Sequence, residues 1–304
     1  MAAVTAEAVK QLRERTGAGM MECKKALTET NGDLDAAAEL MRKAGLAKAD
    51  KKASRVAAEG VIVIERSADL KQAAIVEVNC ETDFVAREND FKNFAANVAK
   101  VALAQRPASV DALLAAQGEG GTLDEARRAL IAKLGENISV RRFDLLESPG
   151  VIGTYLHGTR IGALVSLKKG DEAAAKDVAM HVAAINPPHV SSADIPQDVI
   201  AKETEIHTET TKADPKLAGK PEQIIAKAVE GKIRKWMSEI TLLGQPFVKD
   251  DKQTVEQYLK QAGAEVAGFV RYEVGAGIEK KQEDFAEEVR KQVESSKGTP
   301  PKPH

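Results

Sequence analysis

Cysteine and histidine, the residues that most often build disulfide frameworks and zinc sites, are scarce in this sequence. Its two cysteines, Cys23 and Cys80, lie far apart and form no CxxC pair, which favours free thiols in a reducing compartment. The five histidines show neither HExxH spacing nor a cluster with cysteine. We therefore expect no disulfide, no metal site and no cofactor.

The sequence also lacks the features that direct a chain to a membrane or to nucleic acid. No stretch approaches the ~20 apolar residues of a membrane-spanning helix. The first residues do not show the basic segment followed by an apolar one that is typical of a secretory signal. A net charge of −2 provides no basic excess for non-specific nucleic-acid binding. We expect a soluble, cytoplasmic protein with no membrane partner and no direct nucleic-acid partner.

Length and composition indicate a globular protein. The 304 residues are 43% hydrophobic and 30% charged, so about two domains can each bury a core. The chain carries no G-x-x-x-x-G-K-[ST] sequence, and hence no Walker phosphate loop of its own.

Residues 1–50 are predicted to form three short helices. Thr5 is the expected cap of the first helix, and Gly17 is its expected end. Asp33 can cap the third helix, and Gly45 is predicted to close it. So small a module has few large apolar side chains.

A linker is predicted over residues 51–59, in a segment rich in alanine and lysine. Its basic residues could contact RNA, but such a run more often forms a solvated tether. The pattern favours the tether.

Two related α/β units are predicted next, over 60–147 and 150–276. Each opens with Gly-Val-Ile in a β-hairpin pattern, continues with a helix, and ends in a strand, ISVRRFDLL in the first and VAGFVRYEV in the second. A further loose match relates Leu134-Gly135 to Leu243-Gly244. These similarities indicate a duplicated core within an α+β fold.

The helix after the first hairpin is predicted to run without a break from Phe84 into the following residues. Its expected buried side carries Phe91, Phe94, Val98 and Val101. A later helix shows a capping-box pattern, with a threonine at 122 and a glutamate at 125.

The second unit contains a predicted insertion at about 194–240, an antiparallel helical hairpin. Such a hairpin either packs on its own core or offers a surface for a homodimer. Residues 277–304 are predicted to form a C-terminal helical module and a disordered tail.

Thr82, Asp83 and Phe84 stand where an apolar strand runs into a helix. Asp83 could be the N-cap of that helix. Phe84 is in phase with Phe91 and Val98, which favours a core position, but at the mouth of a helix it could instead project as a hydrophobic anchor. Cys80, in an apolar strand beside Glu81, is expected to have a raised pKa and to be inert. These residues alone favour a binding protein over an enzyme.

Two stretches, LRERTGAGMMECKKAL (12–27) and EVNCETDFVA (77–86), closely resemble the signature regions of the bacterial elongation factor Ts family. The similarity continues through GENISVRR, YLHGTRIGALV, EGKIRKWMSE and GFVRYEVGAGIEK, in the family's order. The resemblance implies an N-terminal three-helix module similar to ubiquitin-associated domains. It also implies a duplicated core of two subdomains, an inserted helical hairpin and a C-terminal helix.

The family exchanges guanine nucleotide on elongation factor Tu, the GTPase that carries aminoacyl-tRNA to the ribosome. The resemblance implies that this chain binds Tu and promotes GDP release, without covalent chemistry of its own. Thr82, Asp83 and Phe84 would form the exchange wedge. Phe84 would enter between helices of the partner's G domain, and Asp83 would disturb its magnesium and phosphate surroundings.

The resemblance implies further contacts with Tu. His157, in a turn of the second unit taken as the counterpart of the wedge, would contact another domain of the partner. The loop and helix of the N-terminal module would grip the G domain, and the C-terminal helix would add to that grip. The implied contact residues of the module are Arg13, Gly17, Met20, Met21 and Lys24.

Three other functions stay open at this point. A scaffold or dimeric adaptor would bind its partner without changing nucleotide release. An RNA-associated protein would use the lysine-rich linker, and its binding would fall steeply with salt. An enzyme would need Cys80 and a distant histidine, and is the weakest of the three.

Overall fold

The computed structural model describes residues 4–215 and 220–279, except the side chains of residues 46–48 and 50. The predicted C-terminal helix and tail lie, from residue 280 onward, outside the described residues. The turn of the predicted helical hairpin is interrupted by the gap at 216–219.

The N-terminal module is a trio of helices around a small aliphatic core. Thr5 caps the first helix by accepting the Ala8 N–H at 3.1 Å, and Gly17 ends it with a left-handed φ of 65°. The core residues are Leu12, Cys23, Ala26, Leu27 and Ala37. The helices are α1 (Ala6–Thr16), α2 (Met20–Glu29) and α3 (Leu34–Lys52).

The first α/β unit follows the predicted order of a hairpin, helices and a third strand. Its elements are β1 (Glu59–Arg66), β2 (Gln72–Cys80), α4 (Asp83–Arg87), α5 (Asn89–Gln105), α6 (Val110–Ala115), β3 (Gln117–Gly118), β4 (Gly121–Thr122), α7 (Leu123–Leu134) and β5 (Ile138–Glu147). The predicted capping box of α7 is present, because Thr122 and Glu125 each accept the other's backbone N–H.

The second unit repeats this order around the inserted hairpin. Its elements are β6 (Val151–His157), β7 (Ile161–Lys169), α8 (Glu172–Ile185), α9 (Gln197–Lys212), α10 (Glu222–Glu239), β8 (Pro246–Phe247), β9 (Asp250–Thr254), α11 (Val255–Gln261) and β10 (Glu265–Glu273). The antiparallel sheets have the orders β1-β2-β5 and β6-β7-β10. Helix α11 begins, like α7, with a capping box, here at Thr254.

The match of Leu134-Gly135 to Leu243-Gly244 is wrong. Gly135, with φ of 82°, ends α7 just before the third strand of the first unit. The residue in the equivalent place of the second unit is Gly263, with φ of 61°, between α11 and β10. Leu243 and Gly244 instead precede β8, so a similar dipeptide stands at a different point of the duplicated order.

The predicted end of the third helix at Gly45 is also wrong, because α3 continues to Lys52 and takes up the start of the expected linker. A methyl group on Gly45 would approach Cβ of Ala132 in α7 to 3.2 Å. Glycine therefore serves here for close packing of two helices. The Lys52 ammonium donates to the carbonyl of Gly135, which also ties α3 to the core.

The two sheets pack face to face, with helices on their outer faces. The contact between the sheets is formed by Ile62, Ala73, Ile75, Ile152, Leu164, Tyr272 and Val274. The alternate residues of the first sheet pack against α5, and those of the second against α8, because successive strand residues point to opposite faces. The predicted apolar side of α5, Phe91, Phe94, Val98 and Val101, is buried there.

The inserted hairpin leaves the second unit after α8 and returns to it before β8. Helices α9 and α10 pack along one another, and Thr204 faces Ile225 and Val229 across a shared groove. Its ends meet where His189 pairs with Thr241 in a parallel bridge. The hairpin is thus a side branch of the second unit.

Candidate protein-interaction site

The segment Thr82–Phe84 forms the tip at which β2 passes into α4. Thr82 is the N-cap, and its hydroxyl accepts the Val85 N–H at 3.4 Å. Asp83 is therefore not the cap. It is the first helical residue, and its carboxylate pairs with Arg87 at 2.7 Å, with both side chains largely open to solvent. Such a pair contributes little, about 1 kcal/mol or less, so Asp83 can leave it at small cost.

Phe84 projects into solvent with 75% of its surface exposed. Val85 and Ala86, the next two residues, are buried and anchor α4 on the core. The helix predicted to run on from Phe84 is interrupted at Glu88, whose backbone is extended with ψ of 139°. The in-phase relation of Phe84 to Phe91 is lost at that break, and with it the argument for a core position.

Glu136 holds the backbone beneath this tip. One oxygen of its carboxylate accepts the N–H groups of Glu81 and Thr82 at 3.1 and 3.0 Å. Its other oxygen accepts the Thr82 hydroxyl at 2.6 Å. Hydrogen bonds to a carboxylate are stronger than those between neutral groups, so the start of α4 is firmly held.

A second set of bonds runs in the opposite direction. The Glu81 carboxylate accepts the Asn137 N–H at 2.6 Å. The Asn137 side chain donates to the carbonyl of Arg55 at 2.8 Å. The end of β2, the start of β5 and the segment after α3 are therefore joined in one network. Sequence reasoning missed Glu81, Glu136 and Asn137 as supports, although the last two lie in the recognised stretch GENISVRR.

The thiol of Cys80 is buried in this network. Burial, with the nearby charges of Glu136 and Glu59, raises its pKa to about 12. The thiol donates to the carbonyl of Thr82 at 3.1 Å. The raised pKa agrees with the expectation from the sequence, and a thiol held in this protonated form contributes packing and a hydrogen bond beneath the tip.

His157 lies at the end of β6 and is exposed. It is not in the counterpart of the wedge, because Phe84 follows the second strand of its unit whereas His157 precedes β7. The turn it begins is nevertheless near the tip: the Thr159 carbonyl accepts the Ile62 N–H at 2.8 Å, and Arg160 pairs with Glu59 at 2.6 Å. Glu59 in turn is the register partner of Cys80, the last residue of β2.

The N-terminal module presents its predicted contact residues to solvent. Met20 and Met21 are 60% and 76% exposed at the start of α2. A residue larger than glycine at Gly17 would reach 3.4 Å from the side chain of Lys133, which pairs with Asp90 in the first turn of α5. The α1–α2 loop is thus close to the helix that follows the tip. Arg13 and Lys24 are exposed as well.

The described residues show neither a metal-binding cluster nor a membrane-spanning helix. Within the described ranges, no group of His, Cys, Asp and Glu side chains could hold a metal ion. The helices in that part of the chain include none that is both long and apolar enough to cross a membrane.

Phe84 is an exposed aromatic residue whose neighbours Val85 and Ala86 are buried, and the N-terminal module exposes two methionines. These features define the class: an α+β protein with surfaces suited to binding another protein. The family model described as "Elongation factor TS" matches residues 81–276. The chain belongs to the elongation factor Ts family, a family of translation elongation factors.

Curated relatives match over almost their whole length. Elongation factor Ts of Thioalkalivibrio sulfidiphilus is 56% identical over 295 residues, which cover 96% of this chain and 99% of the relative. The protein of the same name from Alkalilimnicola ehrlichii is 57% identical, with 97% and 100% covered. That from Methylococcus capsulatus is 59% identical, with 96% and 99% covered.

Proposed function

We propose that this protein is the guanine nucleotide exchange factor of elongation factor Tu and promotes GDP release with Phe84 as a wedge. The observation that carries the proposal is the exposure of Phe84 on α4, next to buried Val85 and Ala86 that anchor the helix. A large apolar side chain held out in this way is costly to leave in water and gains free energy when a partner covers it.

The wedge would act by differential binding. GDP is held by many charge-assisted contacts, which must break together for release. A protein that binds the distorted nucleotide site better than the closed one weakens nucleotide affinity tenfold for each ~1.4 kcal/mol of that difference. Linkage makes the effect reciprocal, so rebinding of nucleotide weakens the hold of the exchange factor. No covalent bond is made or broken.

The other predicted residues would extend the contact. Phe84 would enter between helices of the G domain, and Asp83, released from Arg87, would disturb the magnesium and phosphate surroundings. His157 would touch a second domain of Tu. Met20, with Arg13, Gly17, Met21 and Lys24 of the same module, would grip the G domain.

Release of a fluorescent GDP from Tu, followed by stopped flow, tests the proposal. Phe84→Ala should reduce the maximal release rate on the order of 30-fold, the equivalent of a ~2 kcal/mol hot-spot loss. The Asp83→Ala/Phe84→Ala double variant should lose most of the remaining acceleration. Ile185→Ala removes another exposed apolar side chain, at the end of α8, and should leave release unchanged.

Two outcomes would contradict parts of the proposal. Acceleration that survives both substitutions would keep the exchange function and reject the wedge. Binding of folded wild-type protein to Tu without faster release would favour the scaffold.

The hairpin carries exposed apolar residues, among them Ile206 and Ile224, so a dimeric scaffold would pair through that surface. Homodimerisation through the hairpin stays a prediction, and sedimentation velocity measures it.

A further inference from the structure

We propose that Glu136 is the positioning residue of the wedge, the group that fixes the orientation in which α4 presents Phe84. The inference rests on the proposed exchange function and adds to it a residue that would not touch the partner's nucleotide. Glu136 is 54 positions away from Thr82 in the chain and belongs to the segment between α7 and β5.

The tip needs an external support because α4 is too short to support itself. It has five residues, and isolated helices shorter than about 12–15 residues are marginal in water. The extended backbone at Glu88 separates α4 from α5, so the longer helix does not carry it. Its orientation depends on buried Val85 and Ala86 below and on the bonds at its first residues.

Glu136 supplies three of those bonds. It accepts from the backbone N–H groups of Glu81 and Thr82 and from the Thr82 hydroxyl, within 2.6 to 3.1 Å. The same hydroxyl oxygen accepts the Val85 N–H inside α4. Thr82 is therefore the link through which the carboxylate and the first turn of the helix are joined.

Glu136 is itself fixed from both sides. The Gly135 carbonyl accepts the Lys52 ammonium from α3. On the other side, the Asn137 side-chain amide donates to the Arg55 carbonyl. The backbone N–H of Asn137 donates to the Glu81 carboxylate. The neighbours of Glu136 in the chain are thus hydrogen-bonded to α3, to the segment after α3 and to the end of β2. The Glu136 carboxylate therefore has a fixed position from which it can hold Thr82.

A fixed orientation matters because a wedge that must first be ordered loses binding free energy to that ordering. Without the carboxylate, the first residues of α4 would sample several orientations while the remaining contact surfaces stayed intact. We therefore expect a defect in the maximal exchange rate, with a much smaller change in the concentration of factor that gives half-maximal rate.

The experiment compares Glu136→Ala and Glu136→Gln with wild type in the GDP-release assay on Tu. Glu136→Ala should lower the maximal rate about tenfold, a loss of ~1.4 kcal/mol. Glu136→Gln keeps one acceptor oxygen and the side-chain volume, and should recover part of the rate. Asp194→Ala is the matched control, because that carboxylate likewise accepts a backbone N–H and a hydroxyl, both from Ser191, in the second unit. It should exchange like wild type.

A second measurement separates positioning from general stability. Amide hydrogen exchange should become faster at residues 81–86 in Glu136→Ala, while the amides of α5 and β2 keep their protection. A variant that is destabilised throughout, with a normal maximal rate when folded, would overturn the inference. So would an unchanged rate in Glu136→Ala when wild type accelerates release normally.

Glu136→Gln decides the matter if Glu136→Ala does not fold, because it keeps the side-chain volume and removes only the charge and one of the two acceptor oxygens. A lowered maximal rate in folded Glu136→Gln, with little change in the half-maximal concentration, supports the positioning role. A maximal rate equal to that of wild type rejects it. Wild-type protein that fails to accelerate release would instead reject the exchange function itself, independently of any variant.

Discussion

At the residue scale, His181 couples the stability of the second unit to pH. Its ring is buried in α8, where one nitrogen accepts the Val248 N–H at 3.2 Å and the other contacts the Gln245 side-chain oxygen at 3.0 Å. The first contact requires an unprotonated nitrogen, so the second nitrogen carries the proton. Burial lowers the pKa of His181 below its usual value of 6.5, and the bond to Gln245 opposes that effect in part.

A pKa lowered in the folded state means that the unfolded chain binds the proton more readily. The stability from neutral His181 is therefore fully present above pH 6.5 and is lost as the pH falls below that value. We expect the free energy of unfolding, from urea titrations, to fall by at most ~1.4 kcal/mol per pH unit on this account. His181→Asn should flatten the slope, and His157→Asn, at an exposed histidine, should not.

Helix caps can be predicted from neighbouring residues, whereas the long-range support of the tip cannot. The capping of α1 by Thr5 and of α7 by Thr122 and Glu125 follows from neighbours within three positions, and both predictions are confirmed. The capping alternative for Asp83 is wrong because Thr82 takes that place. The support from Glu136 has no local signal, since the bond joins distant residues that meet only when β2 and β5 pair.

At the scale of elements, two glycines lie where a helix packs closely against a neighbouring element. A methyl group on Gly153 in β6 would lie 2.1 Å from the carbonyl carbon of Ala175 in α8, an overlap that neither backbone can avoid. On Gly45 it would meet only the Ala132 methyl, at 3.2 Å. The close approach at Gly153 fixes β6 against α8. At Gly45, a small shift of α3 or α7 could accommodate the added methyl group.

The two glycines should therefore respond differently to alanine. We expect Gly153→Ala to lower the free energy of unfolding by roughly 3 kcal/mol, at the upper end of typical overpacking costs. Gly45→Ala should change it by less than about 1 kcal/mol, because the gain in helix propensity offsets the tight contact. Urea unfolding of both variants checks this, and equal losses would show that Gly45 is as closely confined as Gly153.

Contacts between helices explain why the sequence predicts some helix ends correctly and others wrongly. Gly17 ends α1 through a left-handed backbone, which only the local chain decides. Gly45 does not end α3, since the continuation to Lys52 is stabilised by α7, which a local pattern cannot reveal. The break at Glu88 likewise lets both α4 and α5 bury residues in the core, a requirement of packing.

At the scale of the whole molecule, Glu77 joins the two units. It is fully buried in β2 and binds Arg141 at 3.1 Å, Arg142 at 2.6 Å and the N–H of Gly275 at 2.8 Å. A bulge in the β2–β5 pairing lets both arginines reach the same carboxylate, although neighbouring strand residues normally point apart. Burial alone would raise the pKa of Glu77, but the bonds from Gly275, Asn79 and Arg142 outweigh it and lower the pKa.

Removal of this carboxylate should weaken the whole fold. Glu77→Ala leaves the Gly275 N–H and the partly buried Arg141 and Arg142 without this acceptor, and we expect it to lower the free energy of unfolding by about 3 kcal/mol. Glu265→Ala, which breaks the exposed pair with Lys168, should cost less than about 1 kcal/mol. Because the pKa of Glu77 is lowered, its contribution is present above pH 4.5 and is lost as the pH falls through the folded-state value. A small loss in Glu77→Ala at pH 7 would contradict this role.

The inserted hairpin has a consequence for how such a chain can change over evolution. Its ends meet at the bridge between His189 and Thr241, where the Leu242 N–H also donates to the His189 carbonyl at 2.8 Å. The pairing of β7 with β10 uses no residue of the hairpin. Since the entropy cost of closing a loop grows only with the logarithm of its length, the branch can be lengthened, shortened or exchanged as a cassette. A change in the length of the hairpin should therefore leave unaltered the buried neighbours and hydrogen bonds that hold Phe84, because those lie in the first unit.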